Sequence, residues 1–113
     1  MIRKENRLKK NKHFKYIYNH GEAKHTSVVS VCFVKTKYKP NRVGFSVSKK
    51  IGKSHIRNKV KRRMSGAYME FCQNVDKNHN YIFIAKSGIE NCTYLQIKQY
   101  MIDSLKKAKL YVD

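Results

Sequence analysis

Apolar positions along the chain change period several times, and each change marks an element. Over residues 12–20, Phe14, Ile17 and Tyr18 recur at helical spacing, and Gly21 stands where a C-terminal cap belongs, which predicts a short helix. Residues 27–35, SVVSVCFVK, are β-branched and aromatic and read as a strand. A basic turn, KTKYKPNR, follows around Pro40. Residues 42–48, RVGFSVS, alternate: Val43, Phe45 and Val47 point one way, Gly44, Ser46 and Ser48 the other. These two strands are expected to pair antiparallel, with one apolar face and one small, polar face. Ser54 is the expected N-cap of a long helix running to about Cys72, with Ile56, Val60, Met64, Ala67 and Phe71 as its buried stripe. Residues 81–85, YIFIA, read as a buried strand. Thr93 with Gln96 forms a capping box. The helix behind it turns Tyr94, Ile97, Met101, Leu105 and Ala108 inward and ends in KKAK. Helix, two or three strands, helix, strand, helix predicts an α+β chain built as a compact two-layer α/β sandwich, one sheet with helices against it.

With 113 residues, no repeats and a single proline, the chain is expected to form one domain over residues 1–113, its first ten residues a flexible basic arm. The 41% apolar fraction is ordinary for a globular protein. The charge is not: 26 Lys and Arg against seven Asp and Glu leave a formal +19. Such a field collects anions, of which nucleic acid is the commonest. No apolar run nears the roughly 18 residues of a spanning helix, and the basic N-terminus has no apolar stretch behind it, so neither a membrane nor a secretory signal is expected. Cys32, Cys72 and Cys92 lack metal or disulfide spacing and are expected as small buried hydrophobes in a reducing cytoplasm.

The charge concentrates in KKIGKSHIRNKVKRR, residues 49–63, with eight Lys or Arg and no acid. Solvated helix faces mix signs, because Glu four residues from Lys stabilises a helix. Here residues 23–69 contain no acid at all, so a binding surface is the better reading. Arg57, Asn58, Lys59, Lys61, Arg62 and Arg63 cover most of the helix circumference left free by the buried stripe, and Lys49, Lys50 and Lys53 precede them. Cations on several sides suit phosphates of a folded RNA better than base edges in a DNA major groove. A second surface is expected over the sheet, where Ser46, Ser48 and Lys50 form a small polar floor and Phe14 and Tyr18, one turn apart, either flank it as a stacking platform or pack the first helix down.

Hydrolysis by a metal site requires converging carboxylates. The seven acids, Glu5, Glu22, Glu70, Asp76, Glu90, Asp103 and Asp113, show no such spacing and none is expected inside a strand. The five histidines show no catalytic pattern either. By its residues the chain is expected to bind and not to catalyse.

RVGFSVSKKIGKSHIRNKVKRRM resembles the signature of the bacterial ribonuclease P protein subunit: a small-residue strand, KK-x-G, then a helix opening R-N-R-x-K-R. NRLKKNKHFKYIYNHG, YIFIAKSG and the last helix fit in place and character, so the resemblance spans nearly the whole chain. It implies a ribonucleoprotein enzyme in which a large RNA, with Mg²⁺ held mainly by RNA and substrate and none held tightly by the protein, removes the 5′ leader of precursor tRNA. It implies a left-handed βαβ crossover, a monomeric protein with one copy per RNA, and a bacterial cytoplasmic setting. Arg57, Asn58, Lys61 and Arg62 stand at the family's RNA-contacting helix positions, Lys49, Lys50 and Lys53 in its basic turn, and Phe14, Tyr18, Cys32, Ser46, Ser48 and Lys50 along its leader groove. The chain departs from the pattern at Lys59, which replaces an arginine fork with a point charge. It departs again at Cys32, which falls near a groove position often aromatic in the family, while Phe33 one residue on is expected to face the core. A ribosomal or RNA-chaperone protein is the alternative of a different class, and an architectural DNA binder a third.

Overall fold

The computed structural model describes residues 6–113. Helix α1 (Asn11–His20) leads into strands β1 (Glu22–His25), β2 (Val29–Lys35) and β3 (Val43–Ser46). A 3₁₀ turn (Lys49–Ile51) precedes α2 (Ser54–Phe71); β4 (His79–Ala85) and α3 (Tyr94–Lys107) follow. The sheet order is β1-β2-β4-β3. The expected antiparallel pair of residues 27–35 and 42–48 does not form, because β4 lies between them, antiparallel to β2 and parallel to β3. The physical reason was present in YIFIA. An unbroken apolar run suits a strand covered on both faces, hence a central one. Tyr81, Ile82 and Phe83 are fully buried.

The sheet separates two cores. On one face Val29, Val31, Phe33, Val43 and Phe83 pack with α2 and α3, whose Val60, Met64, Ala67, Tyr68, Phe71, Ile97, Met101 and Leu105 are buried. Tyr68 joins the stripe expected of α2, and Ile56 is only half-buried. On the other face Leu8, Ile17 and Ile82 form a smaller cluster with Phe14, Cys32, Val34 and Ile84 against it. Helix α1 crosses this face. Phe14 lies over Gly44 of β3, Ile17 packs with Ile82 of β4, and the Gly21 N–H closes the helix on the Ile17 carbonyl at 2.8 Å beside β2.

Three further expectations change. Ser54 is the first helical residue of α2 and Lys53 its N-cap, with no side-chain capping bond. Glu22 lies in β1, exposed. The cysteines are free and half-buried, not sealed in the core. The Thr93–Gln96 capping box of α3 is present in both directions. Of the basic arm, residues 1–5 lie outside the described residues. Residues 6–10 are tied down: Leu8 is buried and its N–H donates to the Val43 carbonyl at 3.0 Å, so this segment runs along the outer edge of β3.

Candidate nucleic-acid interface

The turn before α2 is built for close approach. Gly52 sits at φ +153°, a backbone region that disfavours side chains, and a Cβ there would crowd Ile56 at 3.2 Å. Lys49, Lys50 and Lys53 are exposed around it. With no side-chain cap and no acid in the first turn, the N-terminal amides of α2 and its positive dipole end remain directed at solvent among these lysines.

The ring of cations on α2 divides by face. Asn58, Arg62, Ser65 and Met69, at helical spacing, line a groove of about 770 Å³ together with Lys61 and Gly66. Arg7, Leu8, Lys9 and Phe14 form its opposite wall, and Gly44 and Phe45 of the edge strand β3 its floor. Arg63 turns to another side. It is half-buried and its Nη1 donates to the Cys92 carbonyl at 3.0 Å, anchoring α2 to the start of α3. Glu70 continues that seam, bonded to the Tyr94 hydroxyl and to Lys98 Nζ at 3.0 Å. Hydrogen bonds from Tyr94 and then Lys98 hold the Glu70 carboxyl below its ordinary value, while burial and Glu70 push the Tyr94 hydroxyl up to about 12. Arg57 is half-buried, with its Nε enclosed and without a hydrogen-bond partner. Lys59 is exposed and outside the groove lining. Among the described residues, no Lys or Arg of residues 49–63 is in an ion pair.

Beside α1 the same sheet face continues, half-buried at Cys32, Ile84 and Ser46. Strand register places His25, Ser30, Ile84 and Ser46 in one row across β1, β2, β4 and β3, next to the row of Ala23, Cys32, Ile82 and Gly44. Phe14 stands over the end of this floor and closes it. A Cβ on Gly44 would meet the Phe14 ring at 2.6 Å, so only glycine admits the ring there. Tyr18, one turn on, is 44% exposed. Cys32 is half-buried on this face, and Phe33 is buried on the other, as alternation requires. Ser46 is half-buried, and Ser48 and Lys50 continue outward, exposed.

Several lining residues escaped the sequence reading. Ser30 accepts or donates a 2.7 Å bond with His25 Nδ1 and is itself buried. Its signal was available, because Ser30 lies two positions from Cys32 in the same strand. His25 carried none until β1 was known. Ser65 and Met69 follow Asn58 and Arg62 at helical spacing, whereas Arg7 and Lys9 reach the groove only through the docking of residues 6–10 against β3.

Several of the described acids serve local structure. Asp76 accepts from the Asn78 N–H at 2.6 Å and pairs with His79. Although burial opposes it, the Asn78 N–H and His79 hold Asp76 below its ordinary value. Glu90 accepts from the Gly88 N–H and Asp103 from Gln99. Among the described residues no three His, Cys, Asp or Glu converge to hold a metal, and no helix is long and apolar enough to cross a membrane. The arrangement can neutralise phosphates and stack bases.

A family model described as Ribonuclease P matches residues 2–109. The chain is 37% identical over 109 residues to the ribonuclease P protein component of Clostridium botulinum strain 657, covering 96% of this chain and 98% of that one. It is similar in structure to the Staphylococcus aureus RNase P protein, with a TM-score of 0.85 at 32% identity over 94% of this chain and 97% of that one. The Thermotoga maritima RNase P protein shares the fold at 21% identity, with a TM-score of 0.82 over 88% and 97% of the two chains. A basic helix, a glycine-opened turn and an aromatic-walled sheet face, joined to these matches, make the chain a member of the ribonuclease P protein family.

Proposed function

We propose that this chain works as the protein subunit of ribonuclease P, holding the catalytic RNA on α2 and the preceding turn and guiding the single-stranded 5′ leader of precursor tRNA across the sheet. The observation that carries this reading is the continuity of the two surfaces. One groove runs from Asn58, Lys61 and Arg62 to Phe14 over Gly44, so cations for phosphates and a ring for a base share one channel. Phosphate contacts supply affinity and position, and stacking holds an unpaired strand without reading its sequence. Lys49, Lys50, Lys53, Arg57, Asn58, Lys61 and Arg62 act as the RNA-contacting set. Phe14, Tyr18, Cys32, Ser46, Ser48 and Lys50 line the leader path, with His25 and Ser30 at its far end.

The chemistry falls to the RNA. Mg²⁺ supplies a metal-bound nucleophile and a charge clamp when held by RNA and substrate. This protein's residues add cations that lower repulsion between two RNA molecules, which reduces the Mg²⁺ needed for their association. Monomeric assembly with one copy per RNA, in a bacterial cytoplasm, completes the reading.

The test is cleavage of a precursor tRNA by a bacterial ribonuclease P RNA at low Mg²⁺, with and without this protein. Cleavage at the mature 5′ end that requires both components is the expected result. Cleavage by the protein alone would refute the assignment of chemistry to the RNA. Binding without cleavage would favour the ribosomal or chaperone reading.

A further inference from the structure

A second groove, of about 950 Å³, lies on the far side of α1, between that helix and the loop joining β2 to β3. Among the described residues, Leu8 is the one lining residue it shares with the α2 groove. Its described lining includes Lys35, Lys37, Lys39 and Arg42 and no acid. Lys35, Lys37 and Arg42 are exposed, and no ion pair among the described residues involves them. The local field is strongly positive. His13, on the α1 wall, is held below its ordinary pKa by burial and then by Arg42, Lys12 and Lys10.

Two large rings stand in this field. Tyr38, on the loop, is 83% exposed, and Tyr16, on α1, is 54% exposed and stacked by one face on His20 at 4.3 Å. Tyr38 is held out by a braced loop. Lys39 Nζ donates to the Lys77 carbonyl and to Asn78 Oδ1 at 2.7 and 2.6 Å. Asn41 Nδ2 donates to the His79 carbonyl, the Arg42 N–H to Asn80 Oδ1, and the Thr36 N–H to the Asn78 carbonyl. A loop tied this firmly to β4 and its approach presents the ring in place, which lowers the ordering cost of binding a flat partner on it.

We infer that this groove is a second, independent site for single-stranded RNA, taking an unpaired base on Tyr38 with Tyr16 across from it and the flanking phosphates on Lys35, Lys37 and Arg42. Exposed aromatics between unneutralised cations are the chemistry of sequence-tolerant single-strand binding. Nothing in the leader path or the α2 groove uses these residues, because α1 stands between. The site takes the same chemistry from two sources, an unpaired segment of the catalytic RNA or the end of a precursor.

The chain has no tryptophan, so Tyr38→Trp places a single indole reporter in the full-length protein at an exposed position where folding is undisturbed. Titrating with a hexauridylate should quench the indole fluorescence. Lys37→Glu with Arg42→Glu in that background should move the midpoint on the order of tenfold to higher RNA. Arg62→Ala in that background should move it by less than about twofold, since Arg62 serves the other groove. Separately, in the otherwise wild-type protein, Tyr38→Ala should weaken binding of a fluorescein-labelled hexauridylate by about 5- to 100-fold. Quenching by precursor but not mature tRNA assigns the leader as the source, and quenching by the catalytic RNA assigns that molecule. No quenching by any RNA overturns the inference. So does a midpoint that follows Arg62 and ignores Lys37 and Arg42, or an indole that responds only to vesicles of anionic phospholipid. The fluorescence readout is separate from cleavage, so either reading can fail without the other.

Discussion

Phe14 and Tyr18 are one turn apart on α1, yet their surroundings assign them different work. Phe14 is half-buried, packed over Gly44 against the small core, so it is both a structural ring and the end wall of the floor. Tyr18 is 44% exposed and carries less packing. Phe14→Ala is therefore expected to cost about 1–3 kcal/mol of stability, less than a fully buried Phe. Tyr18→Ala should leave the melting temperature nearly unchanged and weaken binding of precursor relative to mature tRNA by about 1–3 kcal/mol. Equal binding of precursor by wild type and Tyr18→Ala would remove Tyr18 from the leader path. At this scale the sequence left two roles open for the pair, and only the register of Gly44 beneath Phe14 separates them. The same alternation that places Phe33 in the core leaves Cys32 on the groove face, a consequence legible from the strand pattern alone.

Helix α2 carries its cations on faces that do different things. Arg62 lines the groove, and Arg63, its neighbour, holds the Cys92 carbonyl. Arg62→Ala should spare folding and reduce the slope of log K against log salt by about one phosphate contact, roughly 0.7–0.9. Arg63→Ala should instead lower stability, by about 1–2 kcal/mol for a half-exposed charged hydrogen bond, with a smaller effect on the salt slope. Identical phenotypes for the two variants would contradict the division of faces. The seam of α2 with α3 also predicts an acid response. Glu70 has a folded pKa below its ordinary 4.5, so its contribution is complete above that value and is lost as pH falls through the lower folded one. Wild type should melt above Glu70→Gln near neutrality, and the gap should close in acid, as pH falls below 4.5 and on through the lower folded value. A gap that persists unchanged in acid would mean that Tyr94 and Lys98 do not stabilise the carboxylate. The helical period and the basic run were both plain in the sequence. Which cation faces α3 was not, because it depends on a crossing that no local pattern encodes.

Over the whole molecule, +19 on 113 residues acts as one field, with the α2 groove on one side of α1 and the β2–β3 loop on the other. Affinity for the partner RNA should fall steeply with salt, with a slope that reports several phosphates at once, and a flat salt response would contradict a phosphate-dominated interface. The kind of partner was set by composition, since 26 cations against seven acids permit few alternatives to a polyanion. The periodicities set the helices, the capping box of α3 and the inward faces of the strands, because those depend on neighbours within a few residues. The order β1-β2-β4-β3, the strand β1 itself, the docking of residues 6–10 on β3, and hence the meeting of Phe14 with Asn58 and Arg62 in one channel were decided by tertiary structure. Alternation tells a strand which face to bury and says nothing of which strand will lie beside it. That choice is made by non-local burial, where the all-apolar β4 gains most by taking the centre.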